Sequence, residues 1–336
     1  MTEAGPLLAV QGIRKRFGDF EAVRGLSFEV RAGEVFGFLG PNGAGKTTSL
    51  RMLMNITRPD AGSVTFMGGP VMDRRLVGYL PEERGLFEDA TLIDTLVYLG
   101  TLRGMSRADA RAEGKRWLER LGFTERLTAR LNTLSKGNQQ KVQFLGAVIH
   151  RPALAVLDEP FSGLDPLNQE LFLDLIGELR ARGAAVLLSA HQLTLAERLC
   201  DRLLLIANGA ELLSGTLDEI RLRAAGGASE EVKLELRRGA GGGSGDPVAA
   251  VARVAPGVEC RAGEEREGLV TLDVALPAGS DLGPLLAELA RAWRIERIST
   301  SALSLHEIYV RAVRGADPAA AAAPLAPAGE PEAHHA

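Results

Sequence analysis

Cysteine is almost missing from this sequence. Its two residues, Cys200 and Cys260, stand far apart and have no partners at metal-ligand spacing. That excludes a disulfide scaffold and fits a reducing cytosol. Long apolar runs are also missing. Even the longest, residues 184–188 and 203–207 among them, fall far short of the roughly 20 apolar residues a membrane span needs. Any role at a membrane must therefore pass through a partner chain. The opening stretch MTEAGPLLAVQG carries Glu3 and has no basic segment ahead of an apolar run, so no signal peptide is expected. Nor does one charge dominate. Lys and Arg number 39 against 43 Asp and Glu, a net charge of −4, which gives no global reason to expect nucleic acid or a lipid surface as a partner.

What is present is the composition of a folded protein. Of 336 residues, 46% are hydrophobic and 24% charged, enough for one large domain and a smaller one. From residue 7 to about 221, short β-rich runs alternate with helical patterns, the mark of an α/β domain with a largely parallel sheet. Residues 35–39, 154–157 and 185–188 read as buried strands. The first is followed by a Gly-rich turn and a helix through 50–54. Residues 169–182 read as an amphipathic helix. Residues 86–149 differ, with Leu92, Leu96 and Leu99 at helical spacing, and predict a helical insertion.

Composition then shifts, and the chain divides into four segments. An expected first domain, 1–223, contains a helical subdomain at about 86–150 and is followed by a linker at 224–230. Residues 231–314 form an expected small α+β domain. In it Val232, Leu234 and Leu236 alternate as in a strand. Residues 247–254, 282–293 and 305–313 read as helices, and 258–261, 269–274 and 295–299 as strands. This β-α-β-β-α-β order predicts a ferredoxin-like unit with a loop at 239–245. The last residues, 315–336, are rich in Ala, Pro and Glu, end in His334 and His335, and are expected to be a disordered tail.

Two stretches carry chemistry. Gly40-Pro41-Asn42-Gly43-Ala44-Gly45-Lys46-Thr47 fits G-x-x-x-x-G-K-[ST], placed between a predicted strand and a predicted helix as a phosphate loop requires. Glycines let successive N–H groups point at one centre, and the helix N-terminus adds attraction for phosphate. Lys46 supplies an ammonium for the β- and γ-phosphates, and Thr47 a hydroxyl for Mg²⁺. Downstream, an apolar strand ends in Asp158-Glu159-Pro160. Asp158 is suited to hold Mg²⁺ and Glu159 to polarise the attacking water. By itself the pair reads as an acidic turn after a core strand; with the phosphate loop upstream it reads as a second half of one site.

Between them lies Leu134-Ser135-Lys136-Gly137-Asn138-Gln139-Gln140-Lys141. This resembles the LSGGQ signature of the ATP-binding-cassette (ABC) ATPases. Around it, Phe17 sits where that family places an aromatic against adenine, and Glu82 in GYLPEE at the Q-loop position. Ser162-Gly163-Leu164-Asp165 resembles the D-loop, and His191 the switch histidine. Glu82 replaces the usual glutamine, Lys136 the first signature glycine and Asn138 the signature glutamine. With GYLPEERGLF and LSKGNQQK, these departures resemble the exporter subgroup of the sodium-extrusion and drug-resistance ATPases, whose permeases are of the ABC-2 type.

The resemblance, over about residues 7–222, implies an α/β P-loop NTPase of ABC type. Its antiparallel β subdomain and helical insertion precede the small C-terminal α+β domain. It implies an ATP and Mg²⁺ site. Nucleotide would be held by Phe17, Val23, Asn42, Gly43, Ala44, Gly45, Lys46, Thr47 and Thr48, and by Ser135, Gly137 and Asn138. Metal would be held by Thr47, Glu82 and Asp158, and catalysis carried by Glu159, His191 and Lys46. A head-to-tail pair of copies is implied, with Ser135 and the Gly137 backbone, at the start of a helix near Asn138, facing the γ-phosphate on the other copy. So is a separately encoded integral membrane permease at the cytoplasmic face of the cell membrane. Nucleic acid is not an expected partner. The competing reading is a cytosolic, non-transport ABC ATPase. Translation factors of that kind resemble two cassettes in one chain, whereas here there is one phosphate loop and one signature. The DNA-repair relatives need far longer coiled-coil arms than residues 86–149 provide.

Overall fold

The computed structural model describes residues 5–316 except 71, 84, 225–229, 239–245, 259, 264, 266, 267, 277–279 and 303. The chain divides between Leu217 and Asp218 into two compact units, ahead of the boundary expected at 223. The expected linker and the loop at 239–245 lie largely outside the described residues, as does the tail beyond 316.

The first unit begins with β1 (Leu8–Phe17), β2 (Phe20–Val30), β3 (Val35–Leu39), α1 (Lys46–Leu53), β4 (Ala61–Phe66) and β5 (Val77–Leu80). Three helices follow, α2 (Leu92–Leu102), α3 (Arg107–Arg120) and α4 (Lys136–Val148), and form the insertion that the apolar spacing predicts. The unit closes with β6 (Leu154–Asp158), α5 (Pro166–Ala181), β7 (Ala185–Ala190), α6 (Leu193–Leu199), β8 (Arg202–Ala207) and β9 (Ala210–Gly215).

Two sheets result. One is antiparallel, in the order β2-β1-β4; the other runs β5-β6-β7-β3-β8-β9 and is parallel except at β8–β9. Its inner strands β3, β6 and β7 are buried at every position, as expected of strands covered on both faces. Their hydrophobic side chains join the inner face of the antiparallel sheet in one core. There Phe28 and Phe36 stack with centroids 5.3 Å apart. All three strand ends that matter, Leu39, Asp158 and Ala190, fall on the same edge of the parallel sheet. Leu39 pairs with Ala190, and Asp158 with Ser189. A parallel sheet therefore brings three segments that are remote in sequence to one edge.

Two helix starts differ from expectation. α5 begins at Pro166, because the Asp165 carboxylate accepts the Asn168 N–H and a proline occupies the first turn. α4 begins at Lys136, with Ser135 at its N-cap, two residues before the expected start near Asn138.

After α7 (Leu217–Ala224) come β10 (Glu230–Arg238), α8 (Pro247–Val254), β11 (Cys260–Ala262), β12 (Leu269–Leu276), α9 (Gly283–Leu289), β13 (Trp293–Ala302) and α10 (Leu305–Ala316). The strands form an antiparallel sheet in the order β11-β12-β10-β13, the ferredoxin-like arrangement. Val232, Leu234 and Leu236 face α8 and α9 in a core of their own. Trp293, expected at the end of a helix, opens β13 instead, because its ring is buried in that core. Helix α10 extends to Ala316, past the expected start of the tail at 315.

Candidate active site

β3 runs buried to Leu39, and the chain turns through residues 40–45 into α1. Gly45 has φ +100°, and a Cβ there would lie 2.5 Å from the Ala22 carbonyl oxygen. At Gly40 a Cβ would lie 2.5 Å from the Ile206 carbonyl oxygen. The loop is thus pressed backbone against backbone, which only glycine permits. It is also clipped in place: the Gly209 N–H donates to Ala44 O (3.1 Å), and the Arg24 N–H to Gly209 O (2.8 Å). Ala44 is buried, Asn42 and Gly43 are exposed, and Thr47 and Thr48 are half-buried on the first turn of α1.

Lys46 folds back over this loop. Its ammonium donates to Gly40 O (2.8 Å) and Pro41 O (3.1 Å) and stands 3.1 Å from Glu159 Oε1. The last contact is an ion pair without an aligned hydrogen bond, since Oε1 has no hydrogen-bond partner. Both side chains are over nine-tenths buried, so removal of either would strand a charge in a poor solvent. The other oxygen of Glu159, Oε2, lies 2.8 Å from His191 Nδ1. Burial pushes the Glu159 carboxyl up, but the His191 contact and the Lys46 charge outweigh it and hold it below the ordinary carboxylate range. His191 moves the opposite way, raised by its hydrogen bond to Glu159 against partial burial. Glu159 itself sits at φ +49°, a left-handed conformation that turns the carboxylate off the end of β6 toward both partners.

Asp158 is wholly buried. Its Oδ1 accepts from Ser189 Oγ (2.6 Å) and from Thr47 Oγ1 (3.3 Å). Its Oδ2 is buried without a hydrogen-bond partner. Burial pushes the Asp158 carboxyl upward, and the charges of Glu82 and Glu159 push it further, against the hydrogen bonds from Ser189 and Thr47. Glu82, exposed on the segment after β5, comes within 3.5 Å of Thr47 Oγ1.

The structure thus gathers Lys46, Thr47, Glu82, Asp158, Glu159 and His191. It does not bring Ser135, Gly137 or Asn138 to this cluster. They lie at the N-terminus of α4, near α5: a Cβ at Gly137 would meet Asn168 and Leu164. Ser135 is exposed, and its side chain makes no capping hydrogen bond. Phe17, 53% exposed beside the equally open Phe20, presents an aromatic face at the β1–β2 hairpin, with Lys15 Nζ 5.5 Å from its ring centre. Val23, also expected at the nucleotide, has its side chain fully buried in the core.

Two side chains went unassigned in the sequence. Ser189 accepts from the Glu159 N–H (2.9 Å) while donating to Asp158, so one buried hydroxyl ties both acidic residues. Gln143 of α4 donates to Pro81 O (3.2 Å) and Glu83 O (3.0 Å), on either side of Glu82.

A buried strand, a glycine loop gripping the start of a helix, and an acidic pair two strands over, beyond β7, make this a P-loop nucleoside triphosphatase. A family model described as ABC transporter matches residues 23–162. The uncharacterised ABC transporter ATP-binding protein YhaQ of Bacillus subtilis is 43% identical over 64% of this chain and 73% of its own length. A counterpart from Methanocaldococcus jannaschii is 44% identical over 64% of this chain and 79% of its own. The Nod factor export ATP-binding protein I of Burkholderia lata is 41% identical over 61% and 69%. A solved ATP-binding subunit of an ABC transporter superposes with a TM-score of 0.61 at 34% identity, covering 65% of this chain and 92% of that one. The chain belongs to the ABC transporter ATP-binding proteins. It binds ATP and hydrolyses it.

Proposed function

We propose that this chain powers an ABC-2-type exporter as one of two identical, head-to-tail ATPase subunits working beneath a separately encoded permease at the cytoplasmic face of the membrane. Among the described residues no helix is long and apolar enough to cross a membrane, so the reading places the route for cargo in that permease. Export is supported by the likeness to the Nod factor export ATP-binding proteins and by Glu82 and Lys136 at positions where the wider family resembles Gln and Gly. The observation that carries the pairing is the split site: Ser135 and the Gly137 N–H stand at a helix N-terminus suited to phosphate, apart from the chain's own loop.

Phe17 offers a face for stacking the base, and the N–H groups of residues 42–48 cradle the phosphates. The residues present fit Mg²⁺. Asp158 Oδ2 is a buried carboxylate oxygen without a partner, while Thr47 meets the other oxygen of Asp158 and Glu82 meets Thr47. Such a cation takes one or two carboxylates and completes its shell with phosphate and water. When bound, it offsets charge on the β- and γ-phosphate oxygens.

Lys46 turns from Glu159 to the phosphates, which frees Oε1 to accept a hydrogen bond from water. His191 keeps hold of Oε2 and so fixes the carboxylate. As the water oxygen bonds to the γ-phosphorus, the bond to the β–γ bridging oxygen breaks. The water proton passes to Glu159, and ADP and phosphate leave. Ser135 and Gly137 of the other copy donate to the γ-phosphate, so neither copy completes its site alone.

Glu159→Gln is expected to lower turnover about a thousandfold, keep ATP binding and accumulate an ATP-stabilised dimer, read by steady-state ATPase assay and light scattering. Normal turnover would remove Glu159 from its role, and an ATP-bound monomer would remove the pairing. For the permease, purification from membranes in mild detergent should bring down a multi-span protein; its absence would favour the cytosolic, non-transport reading.

A further inference from the structure

Helix α4 does more than present Ser135. Two turns in from its N-terminus, Gln143 is 95% buried (5% exposed) and spends both amide protons on the carbonyls of Pro81 and Glu83. Because both neighbours are acceptors, the amide can only be oriented with its NH₂ toward them. The chain between those carbonyls is Glu82. It has left the ladder of β5 at Leu80 and begins with a proline, which has no N–H to anchor it. Among the described residues this segment is otherwise held by the long Thr47–Glu82 contact (3.5 Å) and the Arg51–Glu83 ion pair, 3.3 Å long between exposed side chains, kinds that restrain little. The same helix reaches the far side of the site, where Gln140 Nε2 lies 3.5 Å from Pro160 O, next to Glu159.

We propose that Gln143 is a positioning residue for the metal side of the site. It holds the backbone around Glu82 so that the Glu82 carboxylate stays beside Thr47 and Asp158. It thereby couples the helix that bears Ser135 to cation binding at the chain's own phosphate loop. The inference rests on the reading of Glu82 as a metal-side group.

Gln143→Met keeps length and apolar bulk and removes both donors. With a non-hydrolysable ATP analogue bound, Mn²⁺ serves as the probe and its half-saturation is read by electron paramagnetic resonance. The variant is expected to raise that half-saturation about tenfold, the scale at which groups orienting a metal ligand act. Affinity for the analogue in EDTA should change less than about twofold, a split that general loosening of the fold would not produce. Glu82→Ala should raise the Mn²⁺ half-saturation by itself. Adding Gln143→Met to it should then cost less than about twofold more, because the two act through one group. Wild-type Mn²⁺ binding in Gln143→Met, or effects that multiply in the double variant, would overturn the proposal. A silent Glu82→Ala would instead overturn the metal reading beneath it. Should Gln143→Met fail to fold by circular dichroism, Gln143→Leu, which likewise removes both donors without adding a charge, takes its place with the same expectations.

Discussion

Glu159 divides its two oxygens between a lysine and a histidine, and the division sets a pH window. Its folded carboxyl lies below the ordinary 4.5, so its contribution is complete above 4.5 and lost as pH falls further. His191 lies above the ordinary 6.5, so its contribution is complete below 6.5 and lost as pH rises through the raised value. Between pH 4.5 and 6.5 the pair is at full strength. His191→Ala should therefore cost most stability in that window, on the order of 1 kcal/mol given the half-exposed ring, and progressively less on either side. Urea unfolding across pH checks it; a flat cost would separate His191 from Glu159. At this scale the sequence shows Lys46, Thr47, Asp158 and Glu159, because short contiguous patterns carry them. Ser189 and Gln143 escape notice because their partners lie 30 and 60 positions away, and no local pattern encodes a pairing made by the sheet or by a helix crossing it.

The phosphate loop and its helix form the element on which the rest depends. Gly45 is held at φ +100° against the Ala22 carbonyl, so a methyl group there meets both an unfavourable conformation and a backbone that cannot yield. Gly45→Ala is expected to cost about 2 kcal/mol or more and to abolish detectable ATP binding, measured by thermal unfolding and a fluorescent nucleotide. Elements with strong internal signals, such as β3, β6 and the helices of the insertion, could be read directly from apolar spacing. Ends were harder. The start of α5 depends on how Asp165 and Pro166 cooperate. The start of α4 is hidden because Ser135 makes no internal cap, its hydroxyl being free for a group outside the chain's own helix. Trp293 reads as helical from its neighbours, and only the sheet of the second unit turns it into a strand residue.

At the scale of the whole molecule, the ferredoxin-like strand order of the second unit was legible in the alternation of Val232, Leu234 and Leu236 and the helix-strand succession after them. The position of the division was not, since it falls at the start of helix α7, several residues ahead of the compositional change at 224. Among the described residues, one core cluster is built wholly from residues before 217 and another wholly from residues after 230. Leu234→Ala, at a fully buried site, should lower the stability of the second unit by about 2–5 kcal/mol. ATP affinity should stay within about twofold of wild type. Calorimetry and nucleotide titration check the two halves of that statement, and a matching loss of ATP binding would refute it. Separate cores also bear on ancestry. A lineage can alter the C-terminal segment without changing any residue of the core that underlies the nucleotide site, so chains sharing this motor are free to differ in what they carry behind it.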